Sequence, residues 1–281
     1  MFVREAPGPP GAPTVVLLHG WTSTADITWY GVFGVLGEHF RVVAPDLRGH
    51  GRGPRRGRKT GLDDVTADIA GLIEALDAVP AVVAGYSLGG AVAQRVARAR
   101  SDLVSGLVLC ASASRFTAAP VSKRSQLAMG AICRLAALLP DAVSAVIAEG
   151  IMRLLFGSDG FQRWALPRMR PHRWSNVLYL AADLALYDST EWVGEITAPV
   201  AVLMTEGDVY VPAERQAHLA GACGAKVFEM PGGHSACLSD PDQFASLLLQ
   251  ACDHVHRAAL SDCGSSPADT SPPTSFRADP A

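Results

Sequence analysis

The chain has 281 residues, 49 % of them hydrophobic and 18 % charged, with a net charge of −3 and a pI near 6.2. That supply of apolar side chains suits one α/β domain with an insertion, or two domains. The slightly acidic balance offers no cationic surface to draw nucleic acid or an anionic membrane, and no apolar run reaches the roughly 18 residues of a spanning helix.

The start, MFVREAPGPPGAP, lacks the apolar core and cleavage pattern of a secretory signal. Short apolar runs then alternate with helical patterns. TVVLLH (14–19), RVVA (41–44), AVVAGY (81–86), SGLVLC (105–110), VAVLMT (200–205) and AKVFEM (225–230) are continuously apolar rather than alternating, as strands buried on both faces of a parallel sheet should be. Between the second and third, Val65, Ile69, Leu72, Ile73 and Leu76 line one stripe of a helix. Residues 241–252, with Pro241 in the first turn, suit a C-terminal helix. This order predicts a doubly wound, mostly parallel α/β sheet with right-handed crossovers. The core is expected over 1–114 and 191–260. Residues 115–190 hold helical patterns without strands and read as a helical cap inserted between two strands. The Ser/Pro-rich segment 261–281 is expected to be a disordered tail. Cys110, Cys133, Cys223, Cys237, Cys252 and Cys263 form no C-x-x-C pair and read as free thiols in a reducing compartment, which predicts a cytoplasmic location.

GYSLGG (85–90) sits where the third of these strands meets a helix. Ser87 there either caps the helix or acts as a nucleophile presented on a sharp strand-to-helix turn. Gly85 and Gly89 would let that turn close, and the helix N-terminus would favour negative charge beside the serine. Three further stretches end strands at the same sheet edge. LLHGW (17–21) places the N–H of Trp21 in a loop that could join the N–H of Leu88 as an oxyanion donor, with His19 read as structural. In MTEGDVYVP (204–212), Asp208 follows a strand and is either a turn residue or an acid that orients a histidine. In EMPGGHSACL (229–238), two glycines precede His234. The order Ser87, Asp208, His234 suits a nucleophile, an orienting acid and a general base.

These motifs resemble the α/β-hydrolase superfamily over roughly residues 12–255. The run APDLRGHGRG (44–53) adds to the likeness, with Asp46 and Arg48 in structural roles and Gly53 where the family often carries a serine. The resemblance implies an eight-stranded sheet, of which one or both N-terminal strands are expected to be absent or vestigial here. A serine at the elbow, rather than an aspartate, argues against haloalkane dehalogenase and epoxide hydrolase chemistry. No metal site and no cofactor are expected. The expected activity is hydrolysis of a small-molecule carboxylic ester, with carbon–carbon bond hydrolysis, thioester hydrolysis, acyl transfer or cofactor-free perhydrolysis on the same triad as alternatives, and a non-catalytic ligand-binding protein as a further one. Met129, Leu154, Phe156, Trp164, Leu178 and Tyr179 of the cap could line an apolar acyl pocket. The basic run RGPRRGRK (52–59) reads as a solvated loop, and Asp188 is the second candidate for the acid.

Overall fold

A computed structural model describes residues 1–55, 60–116, 123–147 and 167–264. Among them, seven strands form a single sheet: β1 (Val3–Ala6), β2 (Thr14–Leu18), β3 (Arg41–Pro45), β4 (Ala81–Tyr86), β5 (Val104–Cys110), β6 (Val200–Thr205) and β7 (Lys226–Met230). Their order is β1-β3-β2-β4-β5-β6-β7. All neighbours are parallel except β1 and β3.

Each apolar run of the sequence becomes a strand, and those of β2 to β6 find hydrophobic layers on both faces. β7, at the sheet edge, is only partly buried, with Lys226 and Glu229 exposed, against the expectation of two-sided burial. Val16, Leu18, Val83, Leu107 and Val202 face one layer, and Val15, Leu17, Val82, Val108 and Leu203 face the other. Helices α1 (Ala25–Trp29), α2 (Phe33–Gly37), α8 (Ala236–Ser239) and α9 (Pro241–Gly264) cover the second face. Helices α3 (Leu62–Ala75), α4 (Leu88–Ala99) and α7 (Ala213–Ala222) cover the first. The stripe on α3 is as expected: Val65, Ile69 and Ile73 are buried, with Leu72 and Leu76 packed against the same layer.

Of the two N-terminal strands in question one is present among the described residues, the short Val3–Ala6 pairing antiparallel to β3, which leaves seven strands where the family resemblance implies eight. VREA carries no apolar run, because on a sheet edge two of its four residues are exposed. One boundary differs from the sequence reading. The last helix continues to Gly264, past the expected core limit at 260, while 265–281 lie outside the described residues. Between β5 and β6 lie α5 (Lys123–Ala136), a short helix over 141–147 and α6 (Trp174–Ala185), with α5 packed on α6.

The register aligns the carboxyl ends of the strands. Leu18 pairs with Gly85, Tyr86 with Cys110, and Thr205 with Met230. Closeness between β2 and α4 depends on Gly89, where a Cβ would stand 2.0 Å from the Leu18 carbonyl oxygen. A Gly89→Ala variant should therefore lose about 3 kcal/mol of stability, at the upper end of the overpacking range, read as a lowered denaturation midpoint. An unchanged midpoint would contradict this packing.

Candidate active site

Ser87 follows the last residue of β4 and precedes the first of α4. Its backbone sits at φ 52° and ψ −113°, a conformation L-residues rarely adopt. The surroundings enforce it. The Ser87 N–H donates to Cys110 O at 2.9 Å, and its carbonyl accepts from Gly90 N–H at 2.9 Å and from the Ser112 hydroxyl at 3.1 Å. A Cβ on Gly85 would meet Gly89 O at 2.3 Å, so the turn closes only around glycine. The side chain makes no capping bond to α4. The helix-cap reading of Ser87 is thus not realised.

Instead, Ser87 Oγ lies 3.0 Å from His234 Nε2, and His234 Nδ1 lies 2.7 Å from Asp208 Oδ2. An ionised Asp208 only accepts, so the Nδ1 proton points at it, and Nε2 is left to accept from the seryl hydroxyl. Asp208 is buried and fully engaged. Its Oδ2 also accepts from the Thr205 hydroxyl at 2.9 Å, and its Oδ1 from the N–H groups of Tyr210 and Val211 at 2.9 and 2.8 Å. Burial pushes this carboxyl up, but His234, the Val211 N–H and Thr205 outweigh burial and hold it below the usual carboxylate range. The loops carrying Asp208 and His234 are zipped together by Glu206 N–H to Met230 O at 3.1 Å and Gly207 N–H to Gly232 O at 2.8 Å.

The loop after β2 runs beside the elbow, with the Cβ position of Gly20 3.7 Å from Ser87 Cβ. Among the described residues, neither the Trp21 N–H nor the Leu88 N–H has a backbone partner. Residues Gly20–Ser23 form a turn closed by Ser23 N–H on Gly20 O at 3.2 Å. The buried His19 accepts from Leu47 N–H at Nε2 (2.9 Å), so its Nδ1–H donates to the same Gly20 carbonyl at 2.8 Å. Burial lowers the His19 pKa, consistent with a neutral ring held by backbone groups. The structural reading of His19 matches this placement.

A profile of the Alpha/beta hydrolase family matches residues 15–247. The chain belongs to the α/β hydrolase family. It is 30% identical to lipase LipV of Mycobacterium tuberculosis over 260 residues, 86% of this chain and 94% of that protein. It is 40% identical to the bifunctional esterase/perhydrolase DCH of Acinetobacter calcoaceticus over 103 residues, 36% of this chain and 37% of that protein. Among solved structures, an esterase from Thermogutta terrifontis superposes with a TM-score of 0.73 at 22% identity, covering 91% of this chain and 93% of that one.

Several side chains around the hydrolase site carried no signal in the sequence. Gln216 on α7 is fully buried and clamps the ends of the Asp208 loop. Its Oε1 accepts from Thr205 N–H at 3.1 Å, and its Nε2 donates to Val211 O at 2.7 Å and Thr205 Oγ1 at 2.9 Å. Tyr86 does more than pack. Its ring does lie against Trp29 and Phe244, but its hydroxyl also donates to the His234 carbonyl at 2.7 Å. Tyr210 brings its exposed ring within 5.4 Å of the His234 ring. Asp188 pairs with Arg115 and Thr190, so Asp208 rather than Asp188 meets the histidine. Cys237 is buried, and burial pushes its thiol up to about 12, which makes it unreactive. Asp46 accepts from Ala25 and Arg52 N–H, and Arg48 grips Asp68 through two bonds, so both serve the scaffold.

In the cap, Leu178 and Tyr179 are half-buried on α6, whose Val177 carbonyl accepts from the Trp21 indole at 2.9 Å. Met129 falls on α5, but its side chain, like Leu154, Phe156 and Trp164, lies outside the described residues. The basic loop was read as merely solvated. Its described part is tied down, with Arg52 bonded to Asp26 and Arg55 to Pro171 O, whereas 56–59 lie outside the described residues. Among the described residues, no helix is long and apolar enough to cross a membrane. Replacing Gln216 by Leu should strand the Thr205 N–H and the Val211 carbonyl without partners, at a cost of about 2–4 kcal/mol. Equilibrium unfolding measures this; a loss below about 0.5 kcal/mol would show that the clamp is dispensable.

Proposed function

We propose that the protein hydrolyses carboxylic esters with a hydrophobic acyl or alkyl group, through an acyl-enzyme on Ser87. The observation that carries this reading is the continuous hydrogen-bonded line Ser87–His234–Asp208 at the strand ends. Ser87 Oγ adds to the ester carbonyl as its proton passes to His234 Nε2. The N–H groups of Trp21 and Leu88 receive the oxyanion. The carbon–oxygen bond to the alcohol breaks and the alcohol leaves with the proton from Nε2. Water then attacks the acyl carbon by the same route reversed, and Ser87 is released. Asp208 fixes the tautomer and stabilises the imidazolium. Similarity along nearly the whole length of a named lipase supports the ester class, and the exposed Tyr210 and the half-buried Leu178 and Tyr179 offer apolar surface near this edge.

A fluorophosphonate probe should label the wild-type protein and not Ser87→Ala. Folded wild-type protein that resists labelling would end this reading. Activity on p-nitrophenyl esters should rise with acyl length beyond acetyl; hydrolysis of acetyl alone would remove the hydrophobic-substrate proposal. Asp208→Asn should lower kcat on the order of 10⁴-fold, by analogy with the measured serine-protease case; a loss under tenfold would deny Asp208 its role. Asp208 should stay ionised below the ordinary carboxylate range, because its partners hold its carboxyl low, so protonation of that carboxyl should not limit kcat/KM at mildly acidic pH.

Perhydrolysis is the second reading, supported by the local similarity to a bifunctional esterase/perhydrolase. Here hydrogen peroxide would replace water as the attacker of the acyl-enzyme. Peracid formation from acetate ester and peroxide, lost in Ser87→Ala, would establish it.

A further inference from the structure

A second group of histidines lies behind the oxyanion turn. His19, His50 and His172 are all buried, with ring centroids 5.1 Å apart for the first pair and 5.2 Å for the second. The first two belong to loops of the core, and His172 comes from the inserted segment just before α6. Their hydrogen bonds define each tautomer. Thr22 N–H donates to His50 Nε2 at 3.3 Å, which leaves His50 Nδ1–H for the Arg48 carbonyl at 3.2 Å. Gly51 N–H donates to His172 Nδ1 at 2.9 Å, which leaves His172 Nε2–H for the Thr22 carbonyl at 3.2 Å.

Thr22 is therefore held on both sides, its N–H by His50 and its carbonyl by His172. It needs holding. Its φ is 57°, in the left-handed region where a β-branched residue is strained. It also occupies the third position of the Gly20–Ser23 turn, where positive φ normally calls for glycine. Such strain persists only where neighbours over-determine it. The turn in turn carries the Gly20–Trp21 peptide, whose carbonyl is pinned by His19 and Ser23 and whose other end is the Trp21 N–H. A second bond from the insertion reaches the same turn, the Trp21 indole donating to Val177 O.

We infer that His172 is a positioning residue: the cap, through His172 and Val177, sets the aim of the Trp21 N–H at the seryl site. This rests on the hydrolase reading above and deepens it, since the cap then contributes to rate as well as to the pocket. Burial pushes His172 down to about 3, so the ring stays neutral and both of its bonds persist at neutral pH.

The test uses an ester that the wild-type protein hydrolyses in a Ser87-dependent manner. His172→Phe keeps the ring and removes both bonds; it should lower kcat at least tenfold with KM changed less than twofold. His172→Gln, which can still donate to Thr22 O, should recover most of the loss. A boronic acid, whose serine adduct places an oxygen at the turn, should bind His172→Phe weaker by the factor lost in kcat. Should His172→Phe fail to fold, Trp21→Phe carries the test: it removes the indole bond to Val177 at a partly exposed site and should lower kcat with the melting temperature unchanged. An unchanged kcat in a folded variant, or a rise in KM alone, would overturn the inference while leaving Ser87-dependent hydrolysis intact. Absence of any Ser87-dependent hydrolysis would instead bring down the hydrolase reading, and the inference with it.

Discussion

The backbone of Ser87 is the constraint on which the site depends. A non-glycine residue at positive φ costs on the order of 1–3 kcal/mol, and the fold meets that cost by locking the residue from three directions. β5 holds its N–H, α4 and Ser112 hold its carbonyl, and the side-chain-free Gly85 and Gly89 let the strand and helix approach. The sharp reversal leaves the hydroxyl clear of the helix, with no capping bond to make, and free to meet His234. An ordinary helix start would have turned the same serine into a cap.

The histidines divide by how their nitrogens are engaged. His19, His50 and His172 each spend both ring nitrogens on backbone groups, and burial lowers the pKa of all three. They are built as neutral connectors. His234 is partly exposed, and among the described residues its ring bonds to side chains, a carboxylate on one nitrogen and a hydroxyl on the other. That arrangement suits a proton-transfer group, since the hydroxyl can pass its proton to Nε2 while the carboxylate orients the ring and stabilises its charged form. The main chain of His234 is fixed separately by Tyr86.

The two loops that bring Asp208 and His234 together continue the pairing of β6 and β7 beyond the strands. Gln216 closes the first loop from below. The geometry thus descends from sheet register: a shift by one residue would move each loop to the other face. The inserted segment touches the same edge through Trp21 and Thr22, so the insertion and the core share one hydrogen-bond network there.

Much of this was legible in the chain alone. The strand runs β2 to β6 are each apolar enough to announce burial on both faces, while β7, on the sheet edge, is only partly buried. Ser87, Asp208 and His234 lie just past three of those runs, in an order that a parallel sheet folds onto one edge. β1 was not legible, because an edge strand needs no apolar pattern, and neither was the extent of α9, whose last turns are exposed or only partly buried. Nor did any local pattern mark Gln216, the hydroxyl of Tyr86, or His172. Their bonds join side chains to backbone groups across separations of up to 150 residues, and such pairings have no periodicity to read. Local pattern and chain order therefore determined the fold and the three residues at the sheet edge. Only tertiary packing decided that the serine is a free hydroxyl instead of a helix cap, and that a histidine from the insertion holds the turn beside it. Both depend on which backbone groups remain unpaired once the sheet and its helices have closed.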